Sequence, residues 1–216
     1  VSIIQRSLLA AGAVAAASGL AVTSASATSQ VEWTVVNPHA DGSFSGSLKA
    51  GTYADVTDVS TSQVLECQGA EAKGSAPSGA YSDGAGLVDI TTFSWGEPKN
   101  NKCHGPLGIA FTAELASTGM GFKAESYHGG IVSGQLADVD LAFTGETLFG
   151  DCTMKITGSL NNVTYNNATG ELSIVSGTGL TMSHVNENCL GLLNNGDSVA
   201  YSATYVLKDP ITVTSP

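Results

Sequence analysis

An all-β fold, an antiparallel β-sandwich or barrel with a weak internal duplication and two intrachain disulfides, is expected from three features of this 216-residue chain. Apolar and polar residues alternate with period two, and turn residues separate the alternating runs. Four cysteines fall into two near-equal intervals, and helical periodicity is almost absent.

Residues 1–27 read as an export signal and stand apart from the fold. Arg6 supplies a positive charge, Leu8 to Val22 an apolar stretch, and Ala25-Ser26-Ala27 an A-x-A cleavage site. The apolar stretch is shorter than the roughly 18–20 residues that cross a bilayer, so no stable membrane span is expected after cleavage. Residues 28–216 then form a single secreted β domain.

The alternation is clearest in six places. Val31, Trp33 and Val35 alternate with Glu32 and Thr34, and Phe44 and Leu48 follow the same rule. Ile109, Phe111, Ala113 and Leu115 alternate with Thr112 and Glu114, and Met120, Phe122 and Ala124 form the next such run. In Cys152-Thr153-Met154-Lys155-Ile156-Thr157 the even positions are apolar. Val199, Tyr201, Ala203, Tyr205 and Leu207 share one face of a later strand. Each run puts one face on a core and the other in water, which is antiparallel logic.

Turns are expected at Ala40-Asp41-Gly42, Ala50-Gly51, Ser82-Asp83-Gly84, His128-Gly129-Gly130, Ala168-Thr169-Gly170 and Asn194-Asn195-Gly196-Asp197. Asn195-Gly196, just before a strongly alternating run, is the best hairpin signal because both residues tolerate positive φ. The spacing predicts roughly 12 to 14 short strands. No Pro- or Ser-rich linker cuts the chain.

Cys67 and Cys103 are 36 positions apart, and Cys152 and Cys189 are 37 apart. Cys103-His104-Gly105-Pro106-Leu107-Gly108 is echoed by Cys189-Leu190-Gly191-Leu192-Leu193, which suggests pseudo-repeat units over about 60–115 and 145–207. The pairing expected is Cys67–Cys103 and Cys152–Cys189, one of three connectivities that four cysteines allow.

Charge narrows the partners. Without Arg6 the chain keeps seven lysines against 19 acidic residues, a formal charge one unit more negative than the −11 of the whole sequence. That excludes nucleic acid, whose binding rests on Lys and Arg contacts to phosphate, and disfavours anionic lipid headgroups.

The search for chemistry is mostly negative. There is no G-x-S-x-G elbow, no H-E-x-x-H, no phosphate-cradling loop and no G-x-G-x-x-G after a strand, so no catalytic residue and no cofactor is assigned. The four histidines stand alone. His128 reads as a solvated turn residue, and His104 lacks the further ligands a zinc site needs. Asp138-Val139-Asp140, Asp55 with Asp58, and Asn194-Asn195-Gly196-Asp197 offer oxygen atoms of the kind calcium accepts, but none fits the EF-hand spacing, and all read first as solvated acidic positions; no metal ligand is assigned. Trp33 and Trp95 are too few to make a sugar-stacking platform. Asn162-Val163-Thr164 and Asn167-Ala168-Thr169 match the glycosylation sequon and read as turn chemistry.

The stretches Tyr165-Asn166-Asn167-Ala168-Thr169-Gly170-Glu171-Leu172, Cys189-Leu190-Gly191-Leu192-Leu193-Asn194-Asn195-Gly196-Asp197 and Cys103-His104-Gly105-Pro106-Leu107-Gly108 carry a resemblance, with the closing Ile211-Thr212-Val213-Thr214-Ser215-Pro216. Together they resemble a group of small exported proteins abundant in Streptomyces and related actinobacteria. The resemblance implies a habitat and a β fold and assigns no activity.

The function expected is a non-catalytic secreted or cell-surface β protein, structural or binding, in the envelope or extracellular matrix. Its partner would be an envelope component or an unidentified small molecule. The alternative is a small-molecule or lipid carrier with a cavity inside a β-barrel; a porin of the outer envelope and a hydrolase rank below it.

Overall fold

The computed structural model describes residues 32–95 and 103–216. The leader expected over residues 1–27 and the alternation expected at Val31 lie outside the described residues.

Fifteen strands run through the described residues: β1 (Trp33–Val36), β2 (Ser43–Leu48), β3 (Ala54–Asp58), β4 (Val64–Cys67), β5 (Ala70–Ser75), β6 (Gly79–Tyr81), β7 (Val88–Trp95), β8 (Cys103–His104), β9 (Ala110–Leu115), β10 (Met120–His128), β11 (Ile131–Thr147), β12 (Gly150–Asn166), β13 (Glu171–Ser183), β14 (Ser198–Leu207) and β15 (Thr212–Thr214). Every pairing among them is antiparallel. Two 3₁₀ turns, Pro106–Gly108 and Glu187–Cys189, are the helical elements described.

Twelve strands make one sheet, and it closes on itself. One ring runs β10-β11-β12-β13-β14-β2-β5-β7 and returns to β10 through Phe122 opposite Val88. A second runs β11-β12-β13-β14-β3-β4-β8-β9 and returns to β11 through Phe143 opposite Ala113. The four strands β11 to β14 belong to both. Their upper and lower halves face different neighbours: β14 pairs with β3 through Val199–Ser202 and with β2 through Tyr205–Leu207.

The strands are longer than the sequence pattern suggests. β11 and β12 each run 17 residues. Their inward face changes phase midway, at Leu136 to Val139 in β11 and Leu160 to Val163 in β12. Each break holds a non-glycine residue with left-handed backbone, Asp138 (φ 57°) and Asn162 (φ 59°), and Ser176 (φ 46°) sits at the matching break in β13. These are β-bulges: one extra residue bends the strand and moves every later side chain to the opposite face. Period-two reading therefore splits one bent strand into two short ones. Asn162 is thus a bulge residue rather than the turn expected of it.

The expected inward faces hold elsewhere. Ile109, Phe111 and Ala113, then Met120, Phe122 and Ala124, and Val199, Tyr201, Ala203 and Tyr205 are all buried. The interior is filled, as expected of rings of eight strands, whose bore is about as wide as the side chains that line it. Two apolar cavities of about 30 and 60 Å³ lie among these side chains.

The small sheet β15-β1-β6 covers the mouth at the β2–β5–β7–β10 end, where Ile211 and Val213 face Phe44, Phe122 and Tyr165 across the larger cavity. Side chains replace a missing strand neighbour. The Tyr165 hydroxyl donates to the Ile211 carbonyl (2.8 Å) and accepts from its N–H (3.1 Å). The Asn167 amide bonds both the carbonyl and the N–H of Val213 (2.8 and 3.0 Å). Asn167, the first residue of the second sequon, is thus engaged with the backbone of β15.

Tight hairpins join β10 to β11 at Gly129-Gly130, where both φ values are positive (58° and 86°), and β11 to β12 at Leu148-Phe149. Asn195-Gly196, expected to make a hairpin, instead closes a long connection from β13, because residues 184–197 fold back along β12 before β14 begins.

Candidate functional site

The end opposite the small sheet is built from loops, and both disulfides lie there. Cys67 and Cys103 join β4 to its neighbour β8. Cys152 near the start of β12 holds Cys189 in the β13–β14 connection. Asn186 reinforces the second bridge: its side chain accepts from Thr153 N–H (3.1 Å) and donates to the Asp151 carbonyl (2.8 Å). Asn188 donates to the same carbonyl (3.1 Å). The expected pairing is the one found.

On this scaffold three loops present apolar side chains to water. At the β11–β12 hairpin Leu148 is 99% and Phe149 71% exposed. Thr147 holds the turn, its hydroxyl accepting from Phe149 N–H (3.1 Å) and donating to the Gly150 carbonyl (2.6 Å). Each second cysteine is followed by a left-handed Leu-Gly pair at a 3₁₀ turn: Leu107 (φ 56°) with Gly108 inside the turn Pro106–Gly108, and Leu190 (φ 57°) with Gly191 just after the turn Glu187–Cys189. Leucine is rarely left-handed, and the conformation aims both side chains outward, Leu107 at 80% and Leu190 at 46% exposure. Leu107, Ile109, Leu148, Phe149 and Leu190 line one shallow depression with Glu146. Asp151 and Glu187 stand exposed nearby in the same loops.

The two leucines stand at different offsets from their cysteines, four residues after Cys103 and one after Cys189, so the echo in the letters does not extend to the backbone. The first cysteines differ: Cys67 ends a strand of four residues, and Cys152 lies in one of 17.

No known protein family, no curated protein and no solved structure matches this chain. The site is therefore judged on its own geometry.

The other sequence candidates disperse. Asp140 is engaged by Lys155 Nζ (3.3 Å), while Asp138 occupies the β11 bulge, so this pair does not converge on a common ligand. His104 and His128 are exposed, and Cys103 beside His104 is in a disulfide. Trp33 and Trp95 are both buried, which removes them as a sugar platform. Among the described residues no group of three or more His, Cys, Asp or Glu gathers as a metal site. His184 Nδ1 lies 3.2 Å from Ser183 Oγ, but the two are sequence neighbours at an exposed strand end, a local contact.

One polar group sits at the centre of the barrel. The hydroxyls of Tyr201 and Tyr205 hydrogen-bond each other, and Trp95 Nε1 donates to Tyr205 (3.2 Å). Burial pushes the Tyr205 phenol up to about 12 from an ordinary value of 10.0, and raises Tyr201 for the same reason. A folded-state value above the unfolded one means that this stabilisation is whole below about pH 10 and is lost as pH climbs through 12. Denaturant melts from pH 8 to 12 are expected to show stability falling only above about pH 10, with a smaller fall in Tyr205→Phe. An equal fall in the variant would exclude this phenol as a contributor.

Proposed function

We propose that the chain is an extracellular, non-catalytic binding protein that docks an envelope or matrix component through its loop-bearing end. The observation that carries this reading is the convergence of Leu107, Leu148, Phe149 and Leu190, all large, all exposed, and each set by a turn with its own hydrogen bonds. Water-exposed apolar side chains gathered from separate loops cost solubility, and such patches commonly mark docking sites. The neighbouring Glu146, Asp151 and Glu187 and the negative net charge favour a partner whose apolar contact is flanked by basic groups.

Export belongs to the same reading. The leader-like residues 1–27 and the two disulfides support it, since disulfides persist in oxidising compartments. The resemblance to exported actinobacterial proteins agrees with it. The barrel carrier is favoured less: its cavities of about 30 and 60 Å³ fall well short of the roughly 300 Å³ at which ligand pockets begin. The outward positions of β12, such as Thr153, Lys155 and Thr157, are too polar for a lipid-facing band.

The test is retention of purified protein on cell-wall and membrane fractions from the producing organism. Leu148→Ser/Phe149→Ser is expected to reduce retention at least about tenfold, the loss of one to two buried apolar side chains, while leaving the melting temperature unchanged. Equal retention by the two proteins would sink the reading, as would robust turnover of ester, glycoside or peptide substrates.

A further inference from the structure

The same end of the barrel holds a second feature that does not depend on the apolar patch. Strand β3 alternates inward at Ala54, Val56 and Asp58, so its last inward position is a carboxylate. Asp58 is 0% exposed. Its Oδ1 accepts from the N–H groups of Ser60 (2.8 Å) and Thr61 (3.1 Å), which shapes the β3–β4 turn. Its Oδ2 is buried and meets no donor. Thr61, bound to the same carboxylate through its amide, carries a buried hydroxyl oxygen that also has no partner.

The antiparallel register sets the start of β14 against this turn. Asp58 lies opposite Val199, and Val59 N–H donates to the Ser198 carbonyl (2.9 Å). Asp197 therefore falls beside Ser60 and Asp58, and its carboxylate interacts with both side chains. The Asn194 amide donates to Asp197 Oδ2 (3.1 Å) and fixes the direction in which that carboxylate points. Two carboxylates from distant parts of the chain thus face each other, one of them sealed from water.

A buried carboxylate oxygen without a protein donor beside a second carboxylate calls for a proton, a water or a cation, and a water would leave the two negative charges unbalanced. A shared proton would join Asp58 to Asp197 and leave the Thr61 hydroxyl oxygen unpaired. A cation answers both, because hydroxyl, amide and carboxylate oxygens are all ligands for a hard ion. We infer that the β3–β4 turn and the 194–197 turn form a calcium site, with Asp58 Oδ2, Asp197 and the Thr61 hydroxyl as protein ligands and water completing the shell. The ion would clamp β3 to the loop that leads into β14, where the second ring closes.

Calcium titrated into metal-stripped protein at pH 7, followed by calorimetry and by thermal melts, tests this. One site per chain is expected, with Kd on the order of 10⁻⁴–10⁻³ M, the range of extracellular modules, and a melting temperature that rises with calcium and not with magnesium. Asp197→Asn, at a partly exposed position, is expected to fold and to weaken binding at least about tenfold. Asp58→Asn is expected to lose the calcium response as well. Absence of a heat or melting shift up to about 10 mM calcium would overturn the proposal, as would a response retained in Asp197→Asn. A wild-type stability that ignores calcium while Asp58→Asn is more stable at neutral pH would assign the pair to a shared proton instead. Weak, non-stoichiometric binding would assign the effect to scattered surface carboxylates.

Discussion

Cys152→Ser/Cys189→Ser is expected to lose about 4 kcal/mol of unfolding free energy, the loop-closure entropy released when 37 residues are no longer tied. That is a large part of the 5–15 kcal/mol that holds a typical domain together. The loss has a place as well as a size. The bridge, Asn186 and Asn188 are what fasten residues 184–197 to the edge of β12. Amide hydrogen exchange should rise first there, while β5 and β7 stay protected. The Leu190 face of the apolar depression should loosen with it. Thermal melts of the oxidised, reduced and double-serine proteins check the size, and exchange mass spectrometry checks the place. A midpoint unmoved by reduction would show that the noncovalent contacts alone hold this end.

Trp95→Ala is expected to be as damaging, at about 3–5 kcal/mol. Trp95 lies where the two rings meet, with ring centroids 5.0 Å from Phe93, 5.3 Å from Phe143 and 5.4 Å from Tyr201. These neighbours come from β7, β11 and β14, so the void would touch strands common to both rings. The substitution also removes the donor to Tyr205 and leaves that phenol with only Tyr201. Trp95→Phe keeps most of the volume and is expected to cost less than half as much. Near-ultraviolet circular dichroism should collapse for the alanine variant and persist for the phenylalanine one. Equal losses in both would place the effect in the hydrogen bond rather than the packing.

The sequence disclosed faces better than it disclosed lengths. Wherever period two ran unbroken, as from Val199 to Tyr205, the buried positions are those expected. Where a bulge intervened, at Asp138, Asn162 and Ser176, alternation changed phase, and no local signal marked the two halves as one strand. The cysteine pairing was legible because each bridge closes a local interval. The Leu148-Phe149 hairpin was not, since its turn depends on Thr147 and Gly150 while its central residues are of types that rarely occupy turns. The echo after Cys103 and Cys189 was visible as letters; that Leu107 and Leu190, at different offsets from their cysteines, both adopt the left-handed conformation and meet at one surface was not. Asp58 and Asp197 were each noticed, but strand register alone brings them together across the chain.

The arrangement of β11 to β14 constrains how the chain must come into being. β2 and β3, near the beginning, find their edge partner only in β14, near the end. Neither ring can shut until the final long strand has emerged. A chain threaded N-terminus first through a narrow channel would therefore stay open and pliable for nearly its whole passage, and close late and all at once on the far side.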